Sequence, residues 1–553
     1  MQQVFAKRIL GWNRSKRIFD SWKNLDITEF LTEYKNRSKV KHIINPNQVK
    51  NIPPTGSLLV LANHPTGIAD GLLILDTLMT VRNDVKLIVN STTYPLNALK
   101  QYIIEAEIPL RWSKFQNNDQ EISPKNTLAI KNALKWLEDG HCLVLFSNSE
   151  VDTEKRIHRK FSENFWHPTA KKILVKYHGT TLPWAIRGRN SALFYQLSKI
   201  NPLFKAALLP REGLKRRLKP IRSYIGKSFR VTDELSVADL ELKIRLMSRQ
   251  TRLIQLPAVI KIPKKILENI AQEITADVLA QEISKLGNPL TFKGNNQVFL
   301  TTQKQSPNIL LEIGRLREIT FRAVNEGSGK ERDLDHYDQD FHHLILWDSE
   351  AQKLVGAYRL GIGTLLYKHD NYHSIIHDFY KKNSSNNEIL KSSMVMGRAF
   401  VVPEYQQKAF PLFVLWQGIM ETLNLYPELK YLVGQTSLPN SFHNYSKQLI
   451  TGFLWKHYSD LEIAKYFNPI HPLKLRKNPL VHGWLKQSTA GDIKRMDRII
   501  ECIEPNGNKT PMLFKRYVEQ NARCIGINID PDFQNSIDIL MLTKIEAITL
   551  RND

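Results

Sequence analysis

Cysteine is scarce in this chain: Cys142, Cys502 and Cys524 are the only three among 553 residues. They have neither paired spacing nor the short repeats of a zinc site, so the sequence points to a reducing compartment and to no disulfide framework. Long apolar runs are missing too. The nearest candidate for a membrane span, residues 58–79, is interrupted by His64, Pro65, Asp70 and Asp76, short of the ~18 uninterrupted residues a spanning helix needs. The first 17 residues hold no continuous apolar core and no small-residue cleavage site, so secretion is not expected. No His, Cys or acid set has ligand spacing, and no metal is expected. Acids are outnumbered, 54 against 78 Lys and Arg, and the net charge of +24 asks for a polyanionic partner.

At 553 residues the chain exceeds one ordinary core, so two domains are the expectation. Residues 211–230 carry eight Lys or Arg against the single acid Glu212, with Tyr224 and Phe229 beside them. Nucleic acid is not favoured as the partner, because no zinc spacing, aromatic RNA-binding strand or helix-turn-helix pattern accompanies the charge. An anionic membrane surface or an acidic carrier protein remains. In residues 15–34, Ile18, Phe19, Trp22, Leu25, Phe30, Leu31 and Tyr34 recur at helical spacing. That stripe fits either a membrane interface or the core of its own domain.

The first half alternates strand and helix. Ser123-Pro124 opens a helix and Asp139-Gly140 closes it. Residues 58–71 read LLVLANHPTGIADG, a strand that runs into Asn63-His64-Pro65 with Asp70 following. A His at a strand-to-helix corner with a nearby carboxylate fits a general base acting on a hydroxyl. A His-Pro turn whose imidazole caps a helix is the plainer reading. The run resembles the membrane glycerolipid acyltransferases, whose signature is Asn-His followed by Asp. Five residues separate His64 from Asp70 here, as in the hemolysin-like branch. Residues 141–151, with Phe146 and Glu150, and residues 180–198, with Pro183 and the turn Gly188-Arg189-Asn190-Ser191, resemble two further blocks of that family. The resemblance implies His64, Asp70 and Glu150 as catalytic residues and Asn63, Arg187, Arg189 and Asn190 as substrate-binding residues.

Residues 237–290 read as an ordered helical connector, sparse in Gly and Ser. Beyond it come an Arg-rich helix, an acidic loop at 330–340, and two strands joined at Ser349-Glu350. A further strand through Val402 leads to another helix. The strand-turn-helix resembles the acyl-donor site of the GNAT acyltransferases, but the turn Gln406-Gln407-Lys408-Ala409 lacks that family's glycines. That favours an acyl-carrier-protein donor over acyl-CoA. This half resembles the ornithine-lipid N-acyltransferases and, more distantly, the acyl-homoserine-lactone synthases. The acids of the 330–340 loop, Arg359 and Arg398 stand where that pattern places its acids and arginines; because the amine must be neutral to attack, Glu326, Asp335 and Asp338 are candidate proton acceptors, and Arg359 and Arg398 candidate anion-binding groups. Relatives usually carry Glu two residues before the Gly397-Arg398 glycine, and this chain has Val395.

The two halves together resemble the bifunctional ornithine lipid synthases. The resemblance implies an α/β chain of two acyltransferase domains: residues 1–236 of the glycerolipid type, and 291–553 a GNAT-like mixed sheet. The second would join a 3-hydroxyacyl thioester to an amino acid, ornithine for preference. The first would then acylate the free hydroxyl of the lyso-lipid. No permanently bound cofactor is expected, and the enzyme would work peripherally at the cytoplasmic face of the inner membrane. A lysophospholipid O-acyltransferase with a non-catalytic second domain, or a non-catalytic adaptor for lipid and carrier protein, stands as the alternative.

Overall fold

A computed structural model describes residues 12–90, 97–107, 123–147, 168–200, 202–215, 220–231, 236–250, 267–323, 326–368, 372–408, 410–475, 478–504, 508–531, 533 and 535–548. The chain divides into two compact units. The first comprises Met1–Pro257, Asn444–Leu449 and Lys477–Lys509; the second comprises Ala258–His443, Ile450–Arg476 and Thr510–Asp553.

Among the described residues the first unit is built on eight strands: β1 His42–Ile43, β2 Leu58–Ala62, β3 Val85–Asn90, β4 Ile103–Ala106, β5 Cys142–Phe146, β6 Thr180–Arg187, β7 Ile221–Ile225 and β8 Phe229–Arg230. Their order is β1-β7-β6-β2-β5-β3-β4, with β8 also pairing β6. The central pairs β6–β2, β2–β5 and β5–β3 are parallel, and β7 and β8 run antiparallel to β6. All five residues of β2 are buried because both faces are covered. Leu58, Val60 and Ala62 pack with helix α1 (Ile68–Leu78). Leu59 and Leu61 pack with α2 (Pro124–Glu138), α3 (Pro168–Lys176) and α4 (Val237–Gln250). As expected, Ser123 caps α2 by accepting from the Asn126 N–H, and Gly140 closes it at φ +88°.

Phe19, Trp22, Phe30, Leu31 and Tyr34 lie in the core of this unit, so the aromatic stripe packs on its own domain. The connector expected at 237–290 divides: α4 belongs to the first unit, residues 251–266 lie outside the described residues, and the helix Ala276–Ser284 belongs to the second. Residues 477–509, placed by sequence in the second domain, cluster with the first unit. The physical reason is a buried anchor, since Asp239 of α4 accepts from Trp484 Nε1 at 2.6 Å and pairs with Arg495. Among the described residues no helix is long and apolar enough to cross a membrane.

The second unit also shows eight strands among the described residues: β9 Thr291–Lys293, β10 Asn296–Thr301, β11 His342–Asp348, β12 Lys353–Ile362, β13 Ser393–Val401, β14 Tyr431–Leu438, β15 Arg523–Asp530 and β16 Ser536–Lys544. The order is β15-β16-β14-β13-β12-β11-β10-β9, and among the described residues only β13–β14 is parallel. Helix α5 (Pro307–Ala323) puts Ile309 and Ile313 against Phe299 and Ile345 on one face. On the other, Gly418 of α6 (Pro411–Leu425) lies so close to Val298 that an added Cβ would meet it at 2.5 Å. This is a mixed α/β fold, and a cavity forms at the parallel pair β13–β14.

Candidate active sites

In the first unit, His64 follows the carboxyl end of β2, between the parallel neighbours β5 and β6. Open α/β sheets place ligands outside the carboxyl ends of strands where the connections diverge to either side. The corner is rigid. Gly67 takes φ +84°, a conformation that favours glycine, and α1 begins immediately after it. Asp70 in the first turn is fully buried and accepts from the Thr66 N–H at 2.7 Å, the Gly67 N–H at 2.9 Å and the Thr66 hydroxyl. Its Oδ2 lies 3.2 Å from His64 Nδ1, without the alignment of a straight hydrogen bond. The imidazole leans on Phe146 with ring centres 4.3 Å apart, and Nε2 has no hydrogen bond among the described residues.

The other candidates of this unit surround the corner differently. Asn63 closes a two-way clamp on the backbone of Ile186, donating from Nδ2 to its carbonyl at 2.8 Å and accepting from its N–H at 2.6 Å. Its amide therefore ties β2 to β6. Half-buried Arg187 ends β6; an added Cβ on the next residue, Gly188, would meet the Thr66 side chain at 2.5 Å. This packs the 187–190 turn against the His64 corner. Arg189 is exposed and Asn190 buried. Glu150 and the Asn148-Ser149 turn lie outside the described residues.

In the second unit, β13 and β14 pair from Ser393↔Tyr431 to Met396↔Gly434 and then part. The wedge opens a cavity of about 290 Å³, with Met396, Gly397, Arg398 and Ala399 on one lip and Gln435, Thr436 and Ser437 on the other. Opposite Tyr358 the register of β12 and β13 slips, and Arg398 adopts φ +50°. A β-bulge with a non-glycine residue in the left-handed region re-aims a side chain at some cost in strain. Here the guanidinium lies in the cavity wall, 5.3 Å from the Phe533 ring centre. Its charge is stacked against a second layer of ion pairs.

That layer joins three arginines to three aspartates. Arg317 of α5 holds both oxygens of Asp338 at 2.9 Å, Arg359 of β12 reaches Asp335 at 2.6 Å, and Arg398 comes within 3.4 Å of Asp333 and 3.7 Å of Asp335. Burial alone would raise the Asp338 pKa, but the hydrogen bonds and charge of Arg317, with Arg359, hold it well below the carboxylate range. Burial lowers that of Arg398, and Arg359 and Arg317 add to this. Of the sequence candidates, Glu326, Arg359 and Arg398 line the cavity, while Asp335 and Asp338 belong to the layer behind it.

Sequence reasoning missed Asp530, Asp538 and Tyr517, which also line the cavity. Asp538 is buried on β16, its Oδ1 accepting from Ser437 Oγ at 2.7 Å. Burial pushes its pKa up to about 6, with Asp530 adding to the rise and Ser437 and Arg398 opposing it. Burial likewise raises that of Glu326, helped by the charge of Asp538. An acid inside the otherwise apolar run SIDILML was the available signal. Tyr517 of α7 (Met512–Glu519) reaches the last β13–β14 pair, since an added Cβ on Gly434 would meet its hydroxyl at 2.0 Å. Val395, where relatives usually carry Glu, is packed in an apolar cluster with Val433 and Leu540.

A parallel pair that parts over a cavity, with a helix leading on from one of its strands, belongs with the GNAT acyltransferases, and residues 316–417 match the acetyltransferase (GNAT) domain family. A glycine N(alpha)-acyltransferase of Bacteroides thetaiotaomicron is 33% identical over 299 residues, 51% of this chain and 87% of the relative. One from Phocaeicola vulgatus is 32% identical over 299 residues, 51% of this chain and 90% of its own. A solved CoA-dependent acyl-homoserine lactone synthase overlaps 26% of this chain and 67% of its own, with 17% identity and a TM-score of 0.19. The chain belongs to the family of these N-acyltransferases, and it is an enzyme that transfers acyl groups.

Proposed function

We propose that the second unit acylates the α-amine of an amino acid from a 3-hydroxyacyl thioester, and that the first unit acylates the hydroxyl of the product. The observation that carries the first step is the cavity at the strand parting, where Arg398 faces Glu326, Asp530 and Asp538. Arginine and a group of acids in one small cavity complement a zwitterion: the Arg398 guanidinium takes the carboxylate and the acids take the ammonium. The unpaired edges of β13 and β14 past Met396 and Gly434 suit the amides of an extended thioester arm. The donor in this reading is an acyl carrier protein, whose single phosphate needs less of a cradle than the CoA pyrophosphate.

For the second step, His64 takes the hydroxyl proton through Nε2 as the oxygen attacks the acyl carbonyl, and Asp70 stabilises the imidazolium from 3.2 Å. The amino acid is glycine in this reading, as in the names of the two relatives. Ornithine would bring a second ammonium, and Asp333, Asp335 and Asp338 of the acidic loop are already engaged by arginines. The net charge of +24 supports a peripheral place on an anionic membrane, at the cytoplasmic face of the inner membrane. Lipid extraction from a host expressing the chain, followed by mass spectrometry, tests the scheme. A di-acylated amino-acid lipid absent from the control host is expected, and no new amino-acid lipid would overturn it.

A further inference from the structure

The attacking amine needs a proton acceptor. An amino acid carries its nitrogen as an ammonium at neutral pH, and only the neutral amine has the lone pair that attacks a thioester. Strand β13, SMVMGRAFV, supplies no acid to the cavity. Asp335 and Asp338 are bound to Arg359 and Arg317 behind the wall, and a carboxylate so engaged is a poor base. Among the described residues, the acids that do line the cavity are Glu326, Asp530 and Asp538.

Resting on the N-acylation reading above, we infer that Asp538 receives the ammonium of the acceptor amino acid and takes a proton from it before the amine attacks. Asp530 accepts from the Phe533 N–H at 3.2 Å, whereas Asp538 is oriented by hydroxyls on two strands. Ser437 on β14 holds its Oδ1 at 2.7 Å and Ser536 lies at 3.4 Å from the same atom, whereas Oδ2 has no hydrogen bond among the described residues. It is flanked by Arg398 from β13, Asp530 from β15, Glu326 from the loop after α5, and the Tyr380 phenol. A carboxylate bound at Arg398 brings the adjoining ammonium to this side of the cavity. An ionisation near pH 6 lets Asp538 be charged, and so able to accept, at neutral pH.

The step balances without a co-reactant. One ammonium proton passes to Asp538, the nitrogen lone pair forms the C–N bond at the thioester carbonyl, and collapse of the intermediate breaks the C–S bond. The second N–H proton goes with the thiolate as free thiol. Asp538 returns its proton to solvent, so the sum is amide, thiol and one proton.

The test follows thiol release from a 3-hydroxyacyl carrier protein, with and without glycine, across pH 5 to about 9.5 for the full chain and three variants. Glycine-dependent release by the unmodified enzyme tests the N-acylation reading itself; its absence with every amino acid tried overturns that reading and this inference with it. Given that activity, kcat/KM should rise through pH 6 and flatten. Asp538→Asn, near-isosteric, should lose roughly 100-fold or more at pH 7. It should also lose the plateau, its rate still climbing about tenfold per pH unit as the free amine forms in solution. An unchanged acid limb in Asp538→Asn overturns the assignment, as does loss of that limb in Glu326→Gln alone. Should Asp538→Asn fail to fold, Ser437→Ala decides. Removing the hydroxyl that favours the charged carboxylate must move the acid limb to higher pH, and a limb that stays in place overturns the assignment.

Discussion

Arg317 holds Asp338 by both carboxylate oxygens at 2.9 Å, and its Nε also donates to the Asp333 carbonyl at 2.9 Å, all behind the wall of the cavity. Both side chains are almost wholly buried. The pair therefore fastens the acidic loop to α5, and Arg359 on β12 draws Asp335 into the same layer. The loop that reads in sequence as acidic is a charge-neutralised support for Arg398.

Breaking that support should be costly. Asp338→Asn leaves Arg317 buried without its bidentate partner, and removing one member of a buried pair typically costs roughly 3–5 kcal/mol. The depressed pKa sets the sign with pH. The stability it contributes is complete above the unfolded carboxyl value, ~3.9, and is lost as pH falls toward the folded value. Urea melts at pH 7 should show a lower midpoint in the variant, and the gap should narrow in strong acid. Matching midpoints at pH 7 would show that the pair contributes nothing.

A second prediction concerns His64, whose Nδ1 lies 3.2 Å from Asp70. His64→Ala should lower O-acylation by ~10²–10⁴ and leave N-acylation intact, so that mono-acylated amino-acid lipid accumulates. Mass spectrometry of lipids from a host without an enzyme of its own for the second step reads the outcome. Mature lipid at the unmodified level would remove His64 from the chemistry.

What the sequence revealed depended on how local each feature is. Asn63, His64 and Asp70 fall within one strand-to-corner turn, so their spacing already placed the imidazole and the acid together. The cavity of the second unit needs β13, β14, β15 and β16 in register, strands that begin at Ser393 and end at Lys544. Nothing in the order of residues says that Asp538 faces Ser437; the antiparallel pairing Ser437↔Asp538 does. Similarly, α4 reads as part of a connector until Trp484 and Arg495 are seen to bury Asp239. Arg398 stood out in the sequence as a candidate anion-binding arginine, but its left-handed bulge did not, because only the slipped register of β12 on β13 imposes it.

Arg398 supplies a third prediction. Lysine keeps the charge and loses the fork that matches a carboxylate. Arg398→Lys should therefore raise KM for the amino acid by roughly 10- to 100-fold, the equivalent of one charge-assisted hydrogen bond. The KM for the acyl donor should change little, since in this reading the donor lies along the strand edges. Initial rates with each substrate varied in turn separate the two, and an unchanged amino-acid KM would assign Arg398 to the donor or to structure.

The last prediction chooses the amine. Ornithine and glycine share the carboxylate and α-ammonium that Arg398 and Asp538 complement, and they differ by an aminopropyl arm ending in a second charge. In the 330–340 loop, Asp338 is held by Arg317, Asp333 by Arg317 and Arg398, and Asp335 by Arg359 and Arg398. To reach those three aspartates a second ammonium would have to displace the arginines, and a desolvated cation left unpaired is heavily penalised. With equal concentrations of isotope-labelled glycine and ornithine, the unmodified enzyme should consume glycine first. Asp335→Asn, which loosens Arg398 from one partner, should depress the use of both amino acids by a similar factor. If ornithine is consumed first, and Asp335→Asn or Glu326→Gln reverses the preference, the second ammonium is bound within this cavity. The glycine reading then falls, while acyl transfer to an α-amine stands.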